Sequence, residues 1–144
     1  MAVLDFGYVY VERGEANAFQ LGCDKWFLNQ IWEIRETARD TAGDQHQGFD
    51  QQIIGREIIL KNVWFRDSAD AEAFLARSLA FNAAGNVTIE VRKTSAALPG
   101  SLFAFKAGVT SLEMLFEVIT NLQKMGRGDD DTYMISQIKL RQTG

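Results

Sequence analysis

His46 is the single imidazole of the chain and Cys23 the single thiol. A histidine-based metal site needs further ligands, and the neighbouring Asp44 and Asp50 could supply oxygens. The segment around them is polar and rich in turn residues, so a solvated loop histidine is the favoured reading. Cys23 would need a histidine close by to act as a nucleophile. A lone cysteine in a globular chain is more often a small buried hydrophobe. The densest polar cluster is Gly126-Arg127-Gly128-Asp129-Asp130-Asp131. Three adjacent carboxylates suit a hard cation such as calcium, but the alternating spacing and closing Glu of a calcium-binding EF-hand loop are missing. Arg127-Gly128-Asp129 also matches an integrin-binding tripeptide, although nothing else in the chain looks secreted. A plain turn explains the cluster more simply. No phosphate loop, no G-x-S-x-G and no H-E-x-x-H occurs, and no pair of acids stands out for glycosidase-type work. The chain therefore reads as a non-enzyme, with no catalytic residue, metal or cofactor expected.

Composition narrows the class further. The chain has 144 residues, of which 47% are hydrophobic and 24% charged, so a single globular domain over 1–144 is expected. A net charge of −4 argues against nucleic-acid binding, which calls for a basic patch. No apolar run is long enough to span a membrane. The start, Met1-Ala2-Val3-Leu4-Asp5, has no basic region, so no signal peptide is expected. One cysteine allows no internal disulfide, which fits synthesis in a reducing compartment.

The elements that would position any site follow from periodicity. Residues 2–12 alternate in aromatic and β-branched side chains, which predicts a strand closed by Gly14. Residues 15–24 look irregular. Residues 25–37 fit either element, and their β-branched and aromatic content favours a strand. Residues 38–52 are almost free of apolar side chains and predict a long polar hairpin loop. A strand is expected at 57–65. Asp67 or Ser68 then caps a helix with Ala71, Phe74, Leu75, Ser78 and Leu79 as its buried stripe, stopped at Gly85. The stretch 87–93 alternates cleanly, with Glu90 pointing outward. A short strand is expected at 102–106. Thr110-Ser111-Leu112-Glu113 reads as a capping box, and Leu112, Leu115, Phe116, Ile119 and Leu122 recur at helical spacing up to Gly126. A final strand covers 132–141.

This order, β-β-β-α-β-β-α-β, predicts an α+β fold: a mostly antiparallel sheet, or a small split barrel or sandwich, with two helices packed on one side. Trp26, Trp32 and Trp64 crowd into the two strands flanking the polar loop. Both faces of that hairpin are apolar: one would serve the protein's own core, and the other must be covered either by the two expected helices, which could cover all of it, or by another subunit.

The strand order, the long polar hairpin tip and the strand-helix-strand run at 56–93 resemble the tail-tube and distal-tail proteins of long-tailed bacteriophages. As an architecture the resemblance covers residues 2–93. It implies a β-sandwich or split barrel with a flanking helix, assembly into hexameric rings, and a hairpin that reaches a neighbouring subunit. The expected function is thus a self-assembling structural subunit of a phage-tail-like tube or ring. It would be assembled in the host cytoplasm, located in the virion, and partnered by copies of itself and other assembly proteins. Candidate subunit contacts are Asp44, His46, Phe49, Trp26, Trp32 and Trp64. The alternative is a small-ligand-binding module or minor enzyme on a split β-α-β-β-α-β sheet, with the tryptophans as pocket walls. A third reading is a cytosolic accessory protein that binds one partner chain through the loop.

Overall fold

The computed structural model describes residues 9–36, 49–94 and 97–143. They form β1 (Val9–Val11), β2 (Phe19–Glu36), β3 (Phe49–Phe65), α1 (Ser68–Ala84), β4 (Val87–Val91), β5 (Ser111–Ile119), β6 (Leu122–Lys124) and β7 (Tyr133–Gln142). Hydrogen bonding runs β3-β2-β1-β4-β5-β7, and β7 pairs back onto β3, so six antiparallel strands close a barrel. Short β6 extends the β5 edge of β7. In so small a barrel side chains fill the interior. Val9, Val11, Leu21, Ile58, Leu60, Val63, Ile89, Met114, Ile135, Ile138 and Leu140 are fully or almost fully buried there.

This corrects the α+β expectation with two helices. The second predicted helix does not exist: Leu112, Met114 and Phe116 are buried at strand spacing in β5. A register shift between Phe116 and Val118 inserts one residue and moves the inward face on to Ile119. That insertion turned a period of two into a sequence that imitates a helix. The supposed capping box is part of the β4–β5 ladder, where the Glu113 carboxylate accepts from Thr88 Oγ1 at 2.9 Å. Gly126 does not stop a helix; it begins the tight connection from β6 to β7.

The first helix follows its signals. Asp67 caps it by accepting from Asp70 N at 2.8 Å, and Gly85 ends it at φ 107. Its buried face is Ala71, Phe74, Ser78 and Phe81; Leu79, expected inside, is exposed. Phe74 lies among Phe65, Phe116 and Phe19 at 5.4, 5.6 and 5.7 Å between ring centres, so the helix covers the barrel where β3 ends and β2 begins. Replacing such an aromatic by Ala costs about 3–5 kcal/mol. Elsewhere on the barrel, the connection at 97–110 carries Phe103 against Trp26 and Phe105. Two isolated bridges, Arg92↔Leu102 and Lys106↔Val109, replace the short strand expected at 102–106.

Two left-handed residues shape the strands. Glu12 (φ 53) ends β1 before Gly14 is reached. Its N–H still donates to Thr88 O, while its carboxylate stands in for a backbone carbonyl and accepts from Thr88 N at 3.2 Å. Asn62 (φ 55) changes which face of β3 points inward: Ile58 and Leu60 are buried before it, Val63 and Phe65 after it. The neighbours change at the same level, from Cys23 to Trp26 on β2 and from Ile135 to Ile138 on β7. Asn tolerates this backbone region better than other side chains of its size. Strand β2 also begins earlier than expected, at Phe19 instead of Lys25. Glu90, expected outside, is almost fully buried and held by both Arg13 Nε (2.9 Å) and Nη2 (2.8 Å).

Candidate assembly surface

The β2–β3 ribbon outruns the barrel. Pairing of β3 with β7 stops at Glu57↔Arg141, and pairing of β1 with β2 covers only Phe19 to Leu21. The two long strands continue together from Gln30↔Arg56 to Glu36↔Phe49. At the rise of an extended chain this projects the ribbon by about 20–25 Å. A second register shift, between Ile31 and Trp32, falls inside the projection. A two-stranded ribbon is marginal in water unless a further surface supports it.

Its apolar side chains are distributed as alternation demands. Trp26 and Leu28 lie half-buried on the inward face, while Lys25, Phe27, Asn29 and Ile31 are exposed on the outer one. Lys25 Nζ stands 5.4 Å from the centre of the Phe27 ring. Phe27 pairs with Ile59, and Ile59 with Lys139 of β7. Lys139 in turn lies between Glu57 (3.4 Å) and Glu117 (3.6 Å). Val118 extends the exposed apolar surface on β5.

The structure separates the residues expected to act together. Trp32 is 53% exposed on the projecting ribbon. Trp26 is half-buried edge-on against Phe103 at 5.2 Å. Trp64 is half-buried, and its indole N–H donates to Asp24 Oδ1 at 3.0 Å while Asp24 Oδ2 accepts from Asn62. The three rings therefore do not wall one pocket, and Trp32 is the most exposed of them. Asp44 and His46 lie outside the described residues. Phe49 opens β3 opposite Glu36 instead of sitting in the loop, and its side chain lies outside the described residues as well. Phe27 and Ile31 were not among the expected contacts. Their signal was present, because an apolar residue at every second position on both faces of one strand leaves one face to be covered from outside.

Electrostatics disfavours chemistry at the two sequence candidates that are described. Burial pushes the Cys23 thiol up to about 12, so it stays protonated and unreactive at neutral pH. The aspartates at 129–131 do not converge. Asp130 Oδ1 accepts from Thr132, and Asp131 Oδ2 accepts from Ser68 N and Oγ, both at 2.9 Å. These hydrogen bonds, the backbone one first, lower the Asp131 carboxyl below the usual carboxylate range. No helix among the described residues is long and apolar enough to cross a membrane.

No family model matches the chain, and no curated protein matches it.

Proposed function

We propose that the protein is a structural self-assembly subunit, a ring or tube component of the kind found in long-tailed phage tails, whose projecting β2–β3 ribbon docks on neighbouring copies. The observation that carries this reading is the ribbon itself: it extends past the barrel with Ile31 and Trp32 exposed. Covering the open half of the Trp32 ring would contribute about 2 kcal/mol. A monomer gains nothing from a projection that leaves such groups in water, whereas a ring gains that burial at every contact. A barrel closed on itself with one helix against it is also a rigid body able to present the ribbon in a fixed direction. In this setting the protein assembles in the host cytoplasm, meets other assembly proteins at the ends of the ring or tube, and finishes in the virion.

Light scattering and negative-stain imaging of the purified chain test the reading. The wild type should form rings or short tubes. Trp32→Glu should remain folded but dissociate, because the substitution lies on the projection and not in the barrel. A wild type that stays monomeric at high concentration would refute the proposal.

A further inference from the structure

The two ends of β7 carry opposite charge. Before β7 lies the β6–β7 connection, which Asp131 fastens to the start of α1 through Ser68 N and Oγ, both at 2.9 Å. The segments thus joined, 66–72 and 124–131, hold six acids (Asp67, Asp70, Glu72, Asp129, Asp130 and Asp131) against three cations (Arg66, Lys124 and Arg127). Glu72 and Asp129 are exposed, and Met125 beside the acidic turn is exposed as well. At the other end, past the last β5–β7 pair Met114↔Gln142, β5 continues to Ser111 and the connection from β4. Residues 91–112 contain Arg92, Lys93 and Lys106 and not one acid. Lys93 and Lys106 are exposed. The flanking carboxylates are engaged, Glu90 by Arg13 and Glu113 by Thr88. Lys93 N donates to Ser101 O and Phe103 N to Val91 O, both at 2.7 Å, so the basic connection is held to the barrel. The ten residues of β7 put about 30 Å between the two ends. Each end is fixed in place, so the opposite charges cannot meet within one molecule.

We infer that copies of the protein join head to tail, with the acidic end of one, formed by α1 and the β6–β7 connection, seated on the basic β4–β5 connection of the next. The inference rests on the assembly reading and adds a second pair of surfaces to the ribbon contact. Such a contact is heterologous: each copy presents a different surface on each side, as a ring or an open fibre requires and a two-fold dimer does not. The whole chain carries −4, so copies repel one another in most orientations. The charge polarity along β7 favours the one orientation that brings acid to base.

The particle mass of the full-length chain, measured by light scattering, provides the test in two charge-reversed variants and their combination. The basic-end variant carries Lys93→Glu and Lys106→Glu; the acidic-end variant carries Glu72→Lys and Asp129→Lys. All four positions are exposed. Each variant alone should form smaller particles than the wild type. Raising sodium chloride to about 1 M, where charges are screened beyond about 3 Å, should shrink the wild-type particles in the same way. The chain with all four substitutions has both ends reversed, so its particles should regain the wild-type mass. Substitutions that merely damaged the fold would not be rescued by adding more of them. Wild-type mass in either two-site variant, or no recovery in the combined chain, would overturn the head-to-tail contact and leave the ribbon contact standing. A wild type that is monomeric at low and high salt would overturn the assembly reading and this contact together.

Discussion

Asn82, in the last turn of α1, bonds to both backbone groups of Phe116 in β5: its Nδ2 donates to Phe116 O at 2.8 Å and its Oδ1 accepts from Phe116 N at 3.0 Å. A side-chain amide thus makes the pair of bonds that a neighbouring strand would make. It does so where β4 has not yet begun, since the β4–β5 ladder starts at Val87↔Met114. The same rung carries the β5 irregularity, so Asn82 ties the helix to the bulged strand and satisfies backbone groups that the ladder leaves open.

Asn82→Ala should therefore cost about 1–3 kcal/mol, because it strands a donor and an acceptor on Phe116. Leu79→Ala on the same helix is the control, as Leu79 is 74% exposed and should change stability by less than about 0.5 kcal/mol. Urea unfolding of both variants decides it, and equal midpoints would remove the proposed role of the amide.

Asp131 links the β6–β7 connection to the start of α1 through Ser68. Its folded-state pKa lies below the usual value, so it binds its proton less readily in the folded state than in the unfolded one. Its contribution is therefore fully present above the ordinary aspartate range, near pH ~3.9, and fades as pH falls through the lower folded value. The stability difference between wild type and Asp131→Ala should be constant at neutral pH and shrink below about pH 4. Urea midpoints measured across that range would show it. A difference independent of pH would mean that Asp131 acts by something other than its charge.

Gly126 admits no side chain. A Cβ there would collide with the carbonyl and side chain of Asp130 across the β6–β7 connection. Gly126→Ala should cost about 1–3 kcal/mol by forcing the turn apart. At Gly100 the nearest atom stands at an ordinary 3.8 Å, so Gly100→Ala should stay within about 0.5 kcal/mol of wild type. Thermal unfolding of the two variants side by side should separate them by several degrees.

Cys23 should resist thiol reagents in the native state. With its pKa raised to about 12 by burial, almost no thiolate exists at pH ~8. A colorimetric disulfide reagent should react slowly with the folded chain and rapidly once denaturant is added. Fast reaction of the folded chain would place the thiol at the surface.

Local signals were sufficient wherever the structure is local. Asp67 and Gly85 bracket the helix as their side-chain chemistry requires, and Val87–Val91 alternates without interruption. The aromatic strands on either side of the polar segment also read correctly as a hairpin with an apolar surplus, and of its exposed residues Trp32 was expected while Phe27 and Ile31 were missed. The site was legible only in part. Trp64 looked available because nothing in its sequence neighbourhood announces the carboxylate of Asp24, which reaches it from the other strand.

What the chain determined by itself was thus the ends of its helix, the presence of most of its strands and the apolar surplus of its hairpin. These depend on residues within a few positions of each other. Only the tertiary structure decided that Ser111–Ile119 is a strand, because bonds to β4, β7 and Asn82 outweigh a helical pattern of side chains. It alone decided that β7 returns to β3 and closes the barrel. It alone decided that the inward face changes at Asn62. Each of these rests on contacts between residues far apart in the chain, whose energies no local pattern encodes.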